Sequence, residues 1–138
     1  MERTVIYADS GIIMRLVEGL PQVRRPIEER LRQLPAEERV LVTSRISRLE
    51  CRCKPLREAD LDLLALYDRL FSSDDVVIEE IDAAIVEEAT HLRAALGFKV
   101  PDALHAATAK LRGATAFWTT DQRFARCSGL SVEVFPAV

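Results

Sequence analysis

The sequence reads as an α/β protein: a mostly parallel five-stranded sheet covered on both faces by helices. Two observations predict this. Short apolar runs rich in valine and isoleucine alternate with longer segments of helical periodicity, the pattern of a parallel sheet whose strands are buried on both sides. The chain is also long enough to close one core. With 138 residues, 49% hydrophobic and 30% charged, it fits a single domain, 1–138, that buries roughly two-thirds of its unfolded surface.

The elements follow in order. Thr4–Ala8 is an apolar run bounded by Asp9-Ser10-Gly11 and reads as a buried strand. Gly11–Glu18 reads as a short helix closed by Gly19 and Pro21, and Gln22–Gln33 as a second, with Pro26 in its first turn. Arg39–Thr43 is the second strand. Ser44 is placed to cap a helix carrying Ile46, Leu49 and Cys53 on one face, which Pro55 interrupts. Leu56–Phe71 reads as a long helix with Leu63, Leu66, Tyr67 and Leu70 on its apolar side. Val76–Ile78 is the third strand. Asp82 caps a helix that runs to Leu96 and stops at Gly97. Pro101 suits the first position of the next helix, which ends near Arg112 before Gly113. Ala116–Thr119 and Ser131–Phe135 complete the strands.

Composition excludes several classes. No apolar run approaches the ~18 residues a membrane span needs, and Met1-Glu2-Arg3-Thr4 enters a strand directly, without a signal-like start. Cys51, Cys53 and Cys127 form neither a redox motif nor a zinc knuckle. A cytoplasmic, membrane-free location is therefore expected. The net charge of −3 describes no general polyanion binder, but basic residues concentrate at Arg45, Arg48, Arg52, Lys54 and Arg57. Arg45, Arg48 and Arg52 share one helical stripe, which is either a solvated face or a phosphate-contacting one.

In a parallel sheet, ligands bind beyond the carboxyl ends of the strands where the strand order reverses, so the polar residues that follow each strand matter most. Asp9 follows the first strand and Asp121 the fourth, which brings both to one sheet edge. Asp102 lies in the first turn of the helix feeding the fourth strand. Glu50 sits at the margin of a buried helix face, a costly place for an unpartnered carboxylate. Each also has a structural reading: Asp9 as an N-cap, Asp102 as a complement to a helix dipole, Asp121 in an Asx-turn, Glu50 paired with Arg48 or Lys54. Together, carboxylates crowded at one edge raise each other's pKa values, and a divalent cation relieves the conflict. All-oxygen ligands select Mg²⁺ or Mn²⁺ over zinc. His105, one turn beyond Asp102, reads as a packing or capping residue, and His91 as surface. An aspartate-nucleophile phosphotransferase would need a second acid two residues after Asp9, where Gly11 stands.

Four segments carry a family resemblance: Val5-Ile6-Tyr7-Ala8-Asp9-Ser10, Ser47-Arg48-Leu49-Glu50, Pro101-Asp102-Ala103-Leu104-His105-Ala106-Ala107-Thr108-Ala109 and Trp118-Thr119-Thr120-Asp121-Gln122-Arg123-Phe124. In order and spacing, over almost the whole chain, they resemble the PIN domain, and within it the VapC-type toxins of bacterial toxin–antitoxin pairs. The resemblance implies a three-layer α/β/α sandwich and a metal-dependent endoribonuclease acting on RNA. It implies Asp9, Glu50, Asp102 and Asp121 as the catalytic, Mg²⁺- or Mn²⁺-holding acids, with a cognate antitoxin and a homodimer as partners. Ser10 stands where the family often has Thr; either hydroxyl serves near a metal. Ser10, Thr119, Thr120, Arg45, Arg48 and Arg52 are the substrate-side candidates, the two threonines reaching either a carboxylate or the scissile phosphate. The competing reading is a non-catalytic PIN-like module that binds RNA or protein, which the presence of all four acids disfavours.

Overall fold

In the computed structural model, which describes residues 3–136, β1 (Thr4–Ala8) is the central strand of a five-stranded sheet. The order is β3-β2-β1-β4-β5, with β2 at Arg39–Ser44, β3 at Val76–Glu79, β4 at Ala116–Thr119 and β5 at Val132–Val134. Every pairing is parallel. The chain builds outward from β1 through β2 to β3, then returns to β4 on the other side of β1. The order therefore reverses between β1 and β4, and the crevice at their carboxyl ends is the expected ligand position.

Strand alternation divides the core into two. Ile6, Ala8 and Trp118 face one side of the sheet and pack with Ile12, Ile13, Ile27, Cys51, Tyr67 and Phe71 from α1 (Ser10–Glu18), α2 (Pro21–Arg32), α3 (Arg45–Arg57) and α4 (Leu61–Phe71). Tyr7 and Phe117 face the other side, against α5 (Ala83–Leu96) and α6 (Val100–Leu111). The result is the three-layer α/β/α sandwich. Ala103, Ala106, Ala107 and Ala109 are buried on α6, small enough to let that helix lie close to the sheet. Asp82 caps α5 by accepting from the Ile85 N–H, and Gly97 ends it at φ 73°, where a Cβ is unfavourable.

The helices depart from the sequence expectation in instructive places. Pro55 does not interrupt α3 but lies buried inside it, and the helix ends only after Arg57. The reversal comes at Ala59, with φ 54°, and α4 starts at Leu61 rather than Leu56, capped by the Asp60 carboxylate on the Leu63 N–H. Pro26 is the sixth residue of α2, with Pro21 occupying its first turn. Pro101 is the second residue of α6. Ser44 holds the N-cap position of α3 without capping it by side chain; its hydroxyl accepts from Tyr7 instead. The buried stripe of α3 is Ser47, Cys51 and Pro55, whereas Leu49 is 65% exposed and Cys53 is on the surface. An apolar-pattern reading fails here because two of the three buried positions are a serine and a proline.

This corrected face is checked by two substitutions. Leu49→Gln should change stability by less than about 0.5 kcal/mol, as exposed sites do. Cys51→Ser, which places a hydroxyl at a 2% exposed position, should cost about 1–3 kcal/mol. Urea titrations of both proteins measure the difference, and a larger loss from Leu49 would restore the original stripe.

Candidate active site

Asp9 terminates β1 and starts α1. Its Oδ1 accepts from the Ile12 N–H at 3.1 Å, so it is the N-cap. Its Oδ2 accepts from Thr119 Oγ1 at 2.5 Å. Thr119 Oγ1 in turn accepts from the Asp121 N–H at 3.0 Å. One buried hydroxyl thus ties together the residues that leave β1 and β4. Asp121 starts a 3-10 turn, Gln122–Arg126, that sequence reading missed, accepting from the Arg123 N–H at 2.9 Å. Gly11 makes room beside them: a Cβ there would lie 2.8 Å from Thr120 Oγ1 and 3.5 Å from Asp9 Oδ1.

Asp102 comes from the first turn of α6 and Glu50 from the middle of α3. Asp9, Glu50, Asp102 and Asp121 all line a single cleft of about 160 Å³, together with Ser10, Gly11, His105, Thr120 and Phe124. Each acid is engaged by a neighbour. Glu50 Oε1 accepts from Ser10 Oγ at 2.6 Å and from His105 Nε2 at 2.9 Å. Asp121 takes both arms of the Arg123 guanidinium, whose Nη2 is also 3.8 Å from Asp102. No three acidic, imidazole or thiol groups among the described residues already form a ligand set about one point; the acids surround a common space from four elements.

The PIN domain family profile matches residues 6–130, nine-tenths of the chain's length. The chain belongs to the PIN domain family. Among solved structures, VapBC2 from Rickettsia felis bound to a promoter DNA fragment aligns with TM-score 0.78 and 18% identity, covering 96% of this chain and 99% of that one. A toxin–antitoxin complex from Klebsiella pneumoniae aligns with TM-score 0.75 and 23% identity, again over 96% and 99%. VapC20 from Mycobacterium tuberculosis, described as a Sarcin-Ricin loop cleaving toxin, aligns with TM-score 0.76 and 19% identity, covering 95% and 99%. No curated protein sequence matches. The fold is therefore that of these chains, and PIN domains are nucleases.

The electrostatics of this PIN cleft separate its acids. Burial pushes the Asp9 carboxyl above its usual range, with the Asp102 charge adding to the rise against the bonds from Thr119 and Ile12. Burial raises Asp102 too, and the charges of Asp121 and Glu50 push the same way. Burial also disfavours the Glu50 carboxylate, but hydrogen bonds from His105 and Ser10 outweigh it and leave the group below its ordinary value. The Arg123 guanidinium holds Asp121 low. This is an all-oxygen, mutually repelling donor set, which fits a hard divalent cation. The Cys51 thiol behind it is pushed up to about 12 by burial, which removes it as a thiolate ligand or nucleophile.

The remaining candidates divide by position. Thr120 lines the cleft, and Thr119 reaches a carboxylate rather than open space. The Ser10 hydroxyl, 6% exposed as a residue, points to Glu50, Ser47 and His105. The arginine stripe is not brought to the cleft. Arg45 pairs with Glu80, Arg52 with Asp68, and Arg48 lies over the Phe71 ring. Lys54 instead lines a neighbouring groove of about 340 Å³ that shares Glu50 as a wall. His105, read from sequence as packing or capping, and Arg123, quoted only within a motif, are the cleft groups to which sequence reading gave no site role. The signal for His105 was its place one turn from Asp102, and for Arg123 its place two residues after Asp121.

The raised Asp9 carboxyl gives a signed prediction. A group raised by folding adds stability that is complete below its unfolded value, ~4, and is lost as pH climbs through the folded value. Asp9→Asn keeps an oxygen for the Ile12 cap and removes the charge. In EDTA at pH 7 it should raise Tm, by about 3 °C for each kcal/mol of penalty removed, and the gain should vanish below pH ~4. Thermal melts across pH decide it; a lower Tm at pH 7 would contradict the assignment.

Proposed function

We propose that this PIN domain is a divalent-metal-dependent endoribonuclease, the toxin of a toxin–antitoxin pair. The observation that carries the reading is the convergence of Asp9, Glu50, Asp102 and Asp121 on one cleft at the carboxyl ends of β1 and β4. The likeness of the fold to VapBC structures supports the toxin role, as does one such structure's description as a loop-cleaving toxin.

In this reading Asp9, Asp102 and Asp121 hold Mg²⁺ or Mn²⁺. A cation held there would supply charge neutralisation at the scissile phosphate and its transition state. Glu50, kept ionised by His105 and Ser10, orients the attacking water and accepts its proton. Thr119 fixes the Asp9 rotamer, and Thr120 faces the substrate. Arg123, which pairs with Asp121, would be free to turn to the RNA backbone where a cation took its place on Asp121. The RNA strand continues past Glu50 toward Lys54, while the stripe of Arg45, Arg48 and Arg52 stays on a solvated flank. The inhibitor is a cognate antitoxin acting in trans, and the active assembly is a homodimer. The proposed site of action is the cytoplasm; no helix among the described residues is long and apolar enough to cross a membrane.

The test is cleavage of total RNA by the purified protein in Mg²⁺ or Mn²⁺ against EDTA. Asp121→Asn should lower the rate by on the order of 10²-fold or more, the loss of several kcal/mol of charge stabilisation. Metal-dependent RNA binding without cleavage by the wild type would replace this reading with the non-catalytic module. On an inactive Asp121→Asn background, Lys54→Ala should reduce the salt-dependence slope of RNA binding by about 0.7, and Arg45→Ala should leave it unchanged. Expression alone should arrest host growth and co-expression with the antitoxin restore it; undisturbed growth at high expression would remove the toxin role.

A further inference from the structure

His105 is 2% exposed on a helix whose other buried residues are Thr108 and alanines. Packing alone would be served by an apolar side chain there. Instead each ring nitrogen has a partner on a different element. Nδ1 lies 2.7 Å from the Tyr7 hydroxyl of β1, which is itself 2.9 Å from Ser44 Oγ of β2. Nε2 donates to Glu50 Oε1 at 2.9 Å and lies 3.1 Å from Ser10 Oγ. A second polar chain meets the first at the same oxygen. Ser10 contacts Ser47 at 3.1 Å, Ser47 contacts Thr43 at 2.7 Å, and Thr43 donates to the Ala8 carbonyl at 2.8 Å. Among the described residues no buried side-chain nitrogen or oxygen lacks a partner, so the two chains form a closed network anchored on β1 and β2.

Both chains converge on Oε1. Among the described residues Glu50 Oε2 has no hydrogen-bond partner, and Glu50 lies on the wall shared by the acidic cleft and the Lys54 groove. A glutamate on a half-exposed helix face has three rotatable bonds, and left free it would sample solvent. Held through one oxygen by donors fixed to the sheet, it is confined to an arc in which only the other oxygen is open. We propose that His105, braced by Tyr7, is a positioning residue that commits Oε1 of Glu50 to the protein and presents Oε2 as its single open acceptor at the cleft. The kinetic consequence rests on the nuclease reading above; the juxtaposition itself does not. In that setting His105 never touches substrate. It acts through Glu50, as the outer partners of a ligand or general base do when they fix its orientation.

The experiment is a double-mutant cycle with a spectroscopic arm. His105→Phe and His105→Gln are made alone and on the Glu50→Gln background. Mn²⁺ affinity is read by calorimetry, and kcat and KM on RNA. His105→Phe should lower kcat roughly 10-fold, within the range for lost outer partners, with KM and Mn²⁺ affinity unchanged. His105→Gln, which still offers an N–H to Oε1, should recover part of the loss. On the Glu50→Gln background, replacing His105 should cost nothing further, because the interaction it serves is already gone. An equal loss on both backgrounds would overturn the proposal and leave His105 a merely structural residue. If His105→Phe does not fold, His105→Gln and Tyr7→Phe carry the same cycle. In the metal-free protein, ¹⁵N spectra should show the His105 Nε2 resonance moving on Glu50→Gln while that of His91 stays in place. An unmoved Nε2 resonance refutes the contact itself. A wild type that neither binds Mn²⁺ nor cleaves RNA would sink the nuclease reading, and the ¹⁵N result would still decide the positioning.

Discussion

Confined negative charge is the constraint on which this structure turns. Four carboxylates reach one small cleft from four elements, and at least two of them, Asp9 and Asp102, are pushed toward protonation by burial and by their neighbours. Folding therefore works against the site, and the fold answers with specific donors. Asp9 takes a helix N-terminus and the Thr119 hydroxyl, Glu50 takes an imidazole and a serine, and Asp121 takes a guanidinium. Each donor fixes a direction as well as lowering a charge penalty, so the same bonds that make the cluster tolerable also make it ordered.

The sheet topology makes that concentration possible. With β1 central and β4 beside it, Asp9 and Asp121 leave adjacent strands at the same end, and Thr119 spans the gap. The two flanking layers then supply one acid each, Glu50 from α3 on one face and Asp102 from α6 on the other. Small residues let them approach. The alanines of α6 bring that helix close to the sheet, and the missing side chain of Gly11 leaves space for Thr120 beside Asp9. Position 11 is thus a steric requirement of the cleft, independent of any turn geometry.

The parts legible in the sequence were those fixed by local rules. Strands with branched apolar residues, the Asp82 cap, the Gly97 stop and the acids that follow strands depend on a few neighbouring residues, and the structure places them as expected. What escaped reading was decided by distant partners. The inward face of α3 is built on Ser47, because Thr43 and Ser10 meet it there, and no hydrophobic period marks such a position. Ser44 looked like a cap and became a partner for Tyr7 across the sheet. His105 looked like packing because nothing local announces a Glu 55 residues away. The arginine stripe of α3 was visible as a stripe, but its direction was set by Glu80 and Asp68, which come from other elements.

Arg123 shows how the charge problem bears on function. Its guanidinium grips Asp121 and reaches toward Asp102, so a built-in cation already offsets part of the cluster. It is more than half exposed, 58% at the side chain, where ion pairs contribute little because water and salt screen them. A divalent cation brings twice the charge to the same carboxylates and requires no side chain to be ordered. Under the proposed function, exchange of Arg123 for a metal would be favoured on Coulombic grounds and would cost the protein only a weak surface pair. In the proposed nuclease a guanidinium displaced from Asp121 would remain at the rim of the cleft, where bidentate recognition of phosphate is the chemistry arginine performs best. A basic side chain from an inhibitor faces the reverse situation. In the proposed complex it would have to outcompete a divalent ion for Asp102 and Asp121 with a single charge, so its hold on the cleft would have to come from apolar contact made elsewhere on the surface.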